Sequence, residues 1–118
     1  MTTLVLGASE DISRYSNKAV RLLRTYNHDV LAIGKQKGTI GDVTIETAFP
    51  LSEKIDTITL YLNPIHQSIY YQDIISSKPR RIIFNPGAEN NELKKLAEAN
   101  NIQTEEACTL VLLNTNQY

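Results

Sequence analysis

The sequence has one cysteine, no tryptophan and two histidines. One cysteine excludes an internal disulfide, and so few Cys and His residues exclude a Cys/His zinc cluster. No apolar stretch approaches the roughly 18 residues of a membrane span, and the N-terminus lacks a signal peptide. The formal net charge of -1 gives no basic surface that would favour nucleic acid. We therefore expect a cytoplasmic protein with neither a membrane nor a nucleic acid as its partner.

The length of 118 residues suits a single domain spanning residues 1–118. Hydrophobic residues make up 42% of the chain and charged residues 21%, which is ordinary for a globular protein. A domain of this size can bury a core without a disulfide or a structural metal. Assembly into a homodimer is left open by the sequence.

Apolar runs alternate with segments of helical periodicity along the chain. Ala19, Leu22, Leu23 and Tyr26 share one face of a first helix, which Ser13 or Ser16 is predicted to cap. Further helices are predicted over 65–76 and 89–100, and the apolar run over 108–113 is predicted to form a short helix, with an edge strand as the alternative. Strands are predicted over 4–6, 29–33, 57–62, 81–84 and 102–105, with a short edge strand over 43–45.

This alternation predicts an α/β fold, a three-layer sandwich with helices on both faces of a mainly parallel sheet. Although six segments have strand character, we expect a five-stranded sheet in the order 3-2-1-4-5, because crossover connections are right-handed. In such sheets ligands bind beyond the carboxyl ends of the strands, where the strand order reverses. Here that crevice lies between the first strand and the strand predicted over 57–62.

The first strand runs into a turn of small residues, Gly7, Ala8 and Ser9. Small side chains let a ligand approach the backbone, and the following helix offers free N–H groups to a phosphate. Tight turns between strand and helix also use small residues for purely structural reasons. Taken alone, the turn predicts a generic phosphate site.

The loop after the second strand reads Gly34-Lys35-Gln36-Lys37. An NAD-dependent dehydrogenase normally has an acidic residue here to hold the ribose hydroxyls. Lysines instead suit a ribose phosphate, as in NADP or at the 3′ position of coenzyme A. A lysine in a surface loop is also common without any ligand. Only Gly7 of the three-glycine dinucleotide motif is present.

Two later strands end in related turns, Asn63-Pro64 and Asn85-Pro86-Gly87. Each places an amide side chain and a rigid turn at the carboxyl end of a strand. Pro64 is suited to start a helix because it has no N–H to leave unbonded. Turn formation alone also explains each dipeptide.

Four residues are of types that can act in catalysis. His28 ends the first helix, where a positive charge is favourable, and we interpret it as structural or solvated. His66 could face the crevice, but no carboxylate adjoins it in sequence. Cys108 is more typical of a buried thiol than of a nucleophile, although a mixed disulfide with a ligand thiol stays open. Glu89 fits the first turn of a helix, so we predict neither catalytic nor metal-binding residues.

The chain resembles the short bacterial CoA-binding domain proteins. This Rossmann-like family is related to the nucleotide-binding domain of the succinyl-CoA synthetase α subunit. The resemblance covers nearly the whole chain. The histidine that is phosphorylated in the synthetase belongs to a second domain, which has no counterpart here, so the resemblance implies binding without the ligase reaction. The matching segments are 4–9, 14–19, 60–64, 83–90 and 106–111.

The resemblance implies coenzyme A or an acyl-CoA as the ligand. It places the phosphates at the turn after the first strand and Lys37 near the nucleotide phosphate. The Asn-Pro turns would then line the path of the pantetheine arm. The residues expected to bind this ligand are Gly7, Ala8, Ser9, Arg14, Ser16, Gly34, Lys37, Asn63, Pro64, Asn85, Pro86 and Gly87.

Two other functions are compatible with the sequence. An NADP-dependent oxidoreductase would use the same turn and lysines, but 118 residues leave little room for a substrate domain. An interaction or regulatory subunit with a vestigial nucleotide pocket would bind no nucleotide at all. Binding assays with coenzyme A and NADPH distinguish the three.

Overall fold

Seven strands form one sheet in the computed structural model, which describes all residues, Met1–Tyr118. The strand order is β3-β4-β2-β1-β5-β6-β7. All neighbouring strands are parallel except β3 and β4, which are antiparallel. The strands are β1 (Thr2–Ala8), β2 (Asp29–Gly34), β3 (Gly38–Ile40), β4 (Val43–Glu46), β5 (Thr57–Leu60), β6 (Arg81–Phe84) and β7 (Gln103–Glu106).

Five α-helices and one 3₁₀ turn connect the strands. No helix is long and apolar enough to span a bilayer. The helices are α1 (Tyr15–Thr25), α2 (Pro64–Gln67), α3 (Tyr71–Ser76), α4 (Asn91–Ala99) and α5 (Thr109–Asn114), and the 3₁₀ turn spans Ser68–Tyr70.

The predicted α/β class with a mainly parallel sheet is confirmed, but the count of five strands is wrong. The central order β4-β2-β1-β5-β6 is the predicted 3-2-1-4-5, and β7 and β3 extend it at either end. The strand missed altogether is β3. It starts at Gly38, in a segment that reads as a polar loop, and pairs with β4 through a turn at Gly41, whose φ is +58°.

Each face of the sheet carries its own core. Leu4 and Leu6 of β1 pack with α3 and α4 through residues such as Ile74 and Leu93. Val5 points to the opposite face and belongs to a cluster with residues of α1 and α5. Because successive strand residues point to opposite faces, β1 is buried on both sides, as expected of a central parallel strand.

The helix predicted over 65–76 is broken into α2, a 3₁₀ turn and α3. Ile65 and Ile69 were expected near its buried side, but they are 80% and 77% exposed. Only Ile74 of the predicted apolar face is fully buried. The change in helical pitch at the 3₁₀ turn removes the face that a continuous helix would present.

Helix ends differ from the predictions for local reasons. Neither Ser13 nor Ser16 caps α1, because the N-cap residue is Arg14, which makes no side-chain cap bond. Helix α4 begins at Asn91 because the Asn90 side chain accepts hydrogen bonds from the N–H groups of Glu92 and Leu93. The predicted helix over 108–113 corresponds to α5.

A cluster around Tyr118 covers the amino edge of the sheet. The Tyr118 hydroxyl hydrogen-bonds Thr3 Oγ1, and the Arg81 guanidinium lies 4.6 Å from the centre of the tyrosine ring. The His28 ring packs edge-on against Tyr118, with 4.9 Å between ring centroids. Burial, followed by the positive N-terminus and Arg81, lowers the pKa of His28, so its environment opposes the positive charge suggested by its position after a helix.

Candidate functional site

A cavity of about 600 Å³ opens at the carboxyl ends of β1, β2 and β5. This is where the strand order reverses, so the crevice predicted from the sequence is present. The cavity is lined by Gly7, Ala8, Ser9, Glu10, Asp11, Arg14, Ile33, Gly34, Lys35, Gln36, Lys37, Tyr61, Leu62, Asn63, His66 and Tyr70.

At the floor of the cavity, two glycines let neighbouring backbone segments pack closely against each other. Gly7 has a φ of +103°, and a Cβ there would lie 3.1 Å from the carbonyl carbon of Tyr61. A Cβ on Gly34 would lie 2.3 Å from the Ala8 carbonyl oxygen. The ends of β1 and β2 therefore touch, backbone to backbone, in a way that larger side chains would prevent.

The loop between β1 and α1 is shaped by its own side chains. Ser9 Oγ accepts a hydrogen bond from the Asp11 N–H at 3.1 Å. Asp11 Oδ1 accepts bonds from the Ser13 N–H and hydroxyl, and these bonds lower the pKa of Asp11. Asn17 ties the loop to α1 by donating to the Ser9 carbonyl at 2.9 Å.

No side chain caps the amino end of α1, so its first-turn N–H groups have no side-chain acceptor. These groups lie next to the loop that lines the cavity, and the helix dipole adds partial positive charge there. An anion at this end of the cavity would satisfy them.

Charged side chains of both signs line the cavity. Arg14, Lys35 and Lys37 contribute positive charge, whereas Glu10 and Asp11 contribute negative charge. Arg14 lies 3.9 Å from Asp11, and both side chains are largely exposed, so this pair costs little to break. The arrangement suits an anionic ligand that reaches from the β1 turn to the lysine loop.

The two Asn-Pro turns are built differently. Asn63 is exposed at the cavity, and its side chain accepts one hydrogen bond, at 3.1 Å, from the His66 N–H at the start of α2. Asn85 is 1% exposed, and its Nδ2 donates to Thr59 Oγ1 and to the Leu60 carbonyl. Its Oδ1 accepts from the Thr109 N–H at the start of α5. The Asn85 amide therefore has no group free for a ligand.

A buried amide network supports the wall of the cavity behind Asn63. Gln67, which is fully buried, donates to the carbonyls of Leu62 and Ala88. It also accepts a bond from Asn90, which caps α4. The network fixes the short helix α2 to the body of the domain even though Ile65 on its outer side is exposed.

Two buried hydroxyls have no hydrogen-bond partner, those of Ser16 and Tyr61. Ser16 lies in the first turn of α1 and is 3% exposed. Burial raises the pKa of Tyr61 well above its usual value, and the nearby Cys108 adds to the effect. The Tyr61 residue lines the cavity while its hydroxyl group is enclosed.

Seven of the twelve predicted site residues line the cavity: Gly7, Ala8, Ser9, Arg14, Gly34, Lys37 and Asn63. The other five do not. Ser16 and Asn85 are buried, whereas Pro64, Pro86 and Gly87 are exposed outside the cavity lining.

Several lining residues were not predicted from the sequence. Tyr61 and Leu62 were assigned to a strand, but β5 ends at Leu60 and leaves both at the cavity. Tyr70 was assigned to the continuous helix that is in fact broken. Glu10 and Asp11 follow the small-residue turn directly, so their position after β1 was the available signal. Ile33, the residue before the last residue of β2, also lines the cavity without having been predicted as a site residue.

Comparisons with known proteins support the family resemblance. The model of a family described as "CoA binding domain" matches residues 1–114. No curated protein has significant similarity to the sequence. A solved structure of an uncharacterized protein is 40% identical, with a TM-score of 0.96 over 99% of this chain and 97% of that one.

More distant structures share the fold. A Thermus thermophilus protein is 21% identical, with a TM-score of 0.87 over 99% of this chain and 90% of that chain. A Ca. Korarchaeum cryptofilum dinucleotide-forming acetyl-coenzyme A synthetase, solved with phosphate and ADP, is 16% identical with a TM-score of 0.72. That alignment covers 90% of this chain but only 25% of the synthetase chain.

Proposed function

The chain belongs to the CoA-binding domain family, and from this premise we propose that it binds coenzyme A or an acyl-CoA in the cavity at the carboxyl ends of β1, β2 and β5. The observation that carries the proposal is the joint position of the Gly7–Ser9 turn and the Lys35–Lys37 loop on one cavity. Small residues face the lysines across a space suited to a phosphorylated nucleotide.

The residues present fit such a ligand. The uncapped first turn of α1 and Arg14 would hold the diphosphate, because they offer N–H groups and a positive charge. Lys35 and Lys37 would hold the ribose phosphate. Asn63 would offer its free amide donors to the ligand, since only its oxygen is used within the protein.

The pantetheine arm would leave the cavity past Asn63 and Pro64, towards Pro86 and Gly87. Asn85 would support this path by holding α5 in place, without contacting the ligand itself. This division follows from the hydrogen bonds of the two asparagines, since Asn85 has all its polar groups bonded. We assign no reaction to the protein, and the bound group would supply a thiol or thioester.

Thermal unfolding and calorimetric titration test the proposal. Millimolar coenzyme A should raise the melting temperature of the purified protein, since a ligand that binds only the folded state stabilises it. Coenzyme A should stabilise the protein more than NADPH or ADP at the same concentration. A larger effect of NADPH would favour the oxidoreductase, and no effect of any nucleotide would favour a vestigial pocket.

A matched pair of lysine variants locates the site. Lys37→Ala removes a positive charge from the cavity, whereas Lys54→Ala removes one from an exposed position outside the lining. Coenzyme A affinity should fall up to about fivefold in the first variant only, because an exposed ion pair contributes up to about 1 kcal/mol. Equal affinities in both variants would contradict the proposed position of the nucleotide.

A further inference from the structure

The Glu10 side chain joins two segments that are far apart in sequence. Its Oε2 accepts a hydrogen bond of 2.8 Å from the backbone N–H of Thr39. Glu10 belongs to the loop after β1, and Thr39 is the central residue of β3. This bond connects the loop between β1 and α1 to the β3–β4 hairpin, on the side of the cavity where the lysine loop lies.

Gly38 provides the space that the Glu10 side chain occupies. A Cβ on Gly38 would lie 2.4 Å from Glu10 Cδ and 2.7 Å from both Cγ and Oε1. A side chain at position 38 would therefore displace the Glu10 carboxylate. The side chain of Glu10 is flexible enough to move aside without disrupting the fold.

The Lys35–Lys37 loop is thus attached at both ends, to the last residue of β1 at its start and to the loop after β1 at its end. At its start, Gly34 packs against the Ala8 carbonyl oxygen, where a Cβ would come within 2.3 Å. At its end, Gly38 packs against Glu10, and the backbone N–H of the next residue, Thr39, donates a hydrogen bond to Glu10 Oε2. Both lysines are exposed, so this attachment fixes the backbone that carries them while leaving their ammonium groups accessible.

We propose that Glu10 is a positioning residue that holds the lysine loop against the loop after β1 and thereby sets the preference for a nucleotide carrying a ribose phosphate. This inference rests on the proposed function and adds to it the residue that orders the lysines. The energetic reason is that a fixed loop loses less conformational freedom when its lysines bind the phosphate.

The negative charge of Glu10 is expected to weaken coenzyme A binding, whereas its hydrogen bond is expected to strengthen it. A carboxylate beside the lysine loop repels a phosphate, so charge alone would make Glu10 unfavourable for the ligand. Substitutions that separate charge from hydrogen bonding therefore decide between the two roles. Glu10→Gln keeps an acceptor for Thr39 without the charge, and Glu10→Ala removes both. Gly38→Ala displaces the carboxylate while keeping its charge.

Calorimetric titration of each variant with coenzyme A and with dephospho-coenzyme A, which lacks the ribose 3′-phosphate, tests the inference. Glu10→Ala and Gly38→Ala should each lower coenzyme A affinity by about three- to tenfold. Dephospho-coenzyme A affinity should change by less than about twofold. Glu10→Gln should keep most of the wild-type preference for coenzyme A.

Each other outcome has a definite meaning. An unchanged preference in both Glu10→Ala and Gly38→Ala would overturn the inference while leaving the proposed function intact. Tighter coenzyme A binding by Glu10→Ala and Glu10→Gln alike would show that charge repulsion dominates, which also overturns it. If the wild type binds neither nucleotide, the proposed function itself fails. Should Glu10→Ala unfold, as judged by circular dichroism, Gly38→Ala decides the question.

Discussion

The two Asn-Pro turns have the same dipeptide at the carboxyl ends of neighbouring strands, yet their asparagines have different structural roles. Asn63 is exposed and accepts one hydrogen bond, whereas Asn85 is buried and makes three. The difference comes from what covers each strand end. Helix α5 begins directly against Asn85, while the strand end before Asn63 opens into the cavity. Position at the binding edge therefore does not by itself make an asparagine a ligand contact.

The largest effect expected is on stability, at the second turn. Asn85→Ala removes bonds to Thr59, Leu60 and Thr109 and leaves buried polar groups without partners. The free energy of unfolding should fall by about 3 kcal/mol, measured by urea denaturation. Asn63→Ala is the matched control, and an equal loss in both variants would remove the distinction between the turns.

A second variant changes Gly7, which packs against the backbone of Tyr61 just before the Asn63-Pro64 turn. Gly7→Ala places a Cβ 3.1 Å from the carbonyl carbon of Tyr61, at a positive φ that alanine rarely adopts. Unfolding free energy should fall by about 2 kcal/mol, and coenzyme A affinity should fall as well. Gly41→Ala is the control, because Gly41 also has a positive φ, +58°, but a Cβ there would meet no atom within 4 Å and the residue lies outside the cavity lining. Loss of stability without loss of affinity would separate Gly7 from the ligand.

Asn63 should affect binding more than stability. Asn63→Ala removes a single exposed cap, so unfolding free energy should fall by about 1 kcal/mol or less. Coenzyme A affinity should fall about fivefold, because the amide donors are lost as well. Asn63→Ser keeps a capping oxygen, and calorimetry should show that it restores stability but not affinity. Full affinity in Asn63→Ala would mean that neither asparagine binds the ligand.

The smallest effect is a pH dependence that neither turn should alter. The pKa of His28 is lowered in the folded protein, so the folded state binds fewer protons than the unfolded state. Stability should therefore fall as the pH decreases below the ordinary value of about 6.5 towards the lowered pKa. His28→Asn should reduce this loss in urea denaturation at a series of pH values. The wild-type slope should persist in Asn63→Ala, since Asn63 is remote in sequence and does not titrate.

Sequence periodicity predicted the central sheet because β1, β2, β5 and β6 are short apolar runs separated by clear turns. It missed β3, since Gly38 and Thr39 lack apolar character and are ordered by contacts with Glu10 and β4. The break in the helix that begins at Pro64 was not predicted for a similar reason. Ile65 and Ile69 have helical spacing, but the buried polar residue Gln67 sets the orientation of the segment.

The candidate site was predictable where it depends on the end of a strand and not where it depends on side-chain partners. Gly7 and Gly34 lie in the last residues of β1 and β2, Asn63 lies shortly after β5, and all three line the cavity. Asn85 follows from the same rule, but its bond to the Thr109 N–H joins residues 24 positions apart. No local pattern encodes that partner, so the sequence could not distinguish it from Asn63.

The interrupted segment of α2, the 3₁₀ turn and α3 forms a wall of the cavity whose mechanical character differs from that of the floor. The floor, at Gly7 and Gly34, belongs to central strands whose backbone hydrogen bonds should open only with the whole domain. The wall, with His66 and Tyr70, consists of short helical pieces that are anchored chiefly through Gln67. Amide hydrogens there should exchange fastest around the cavity, which makes this wall the one that adapts to ligands of different size.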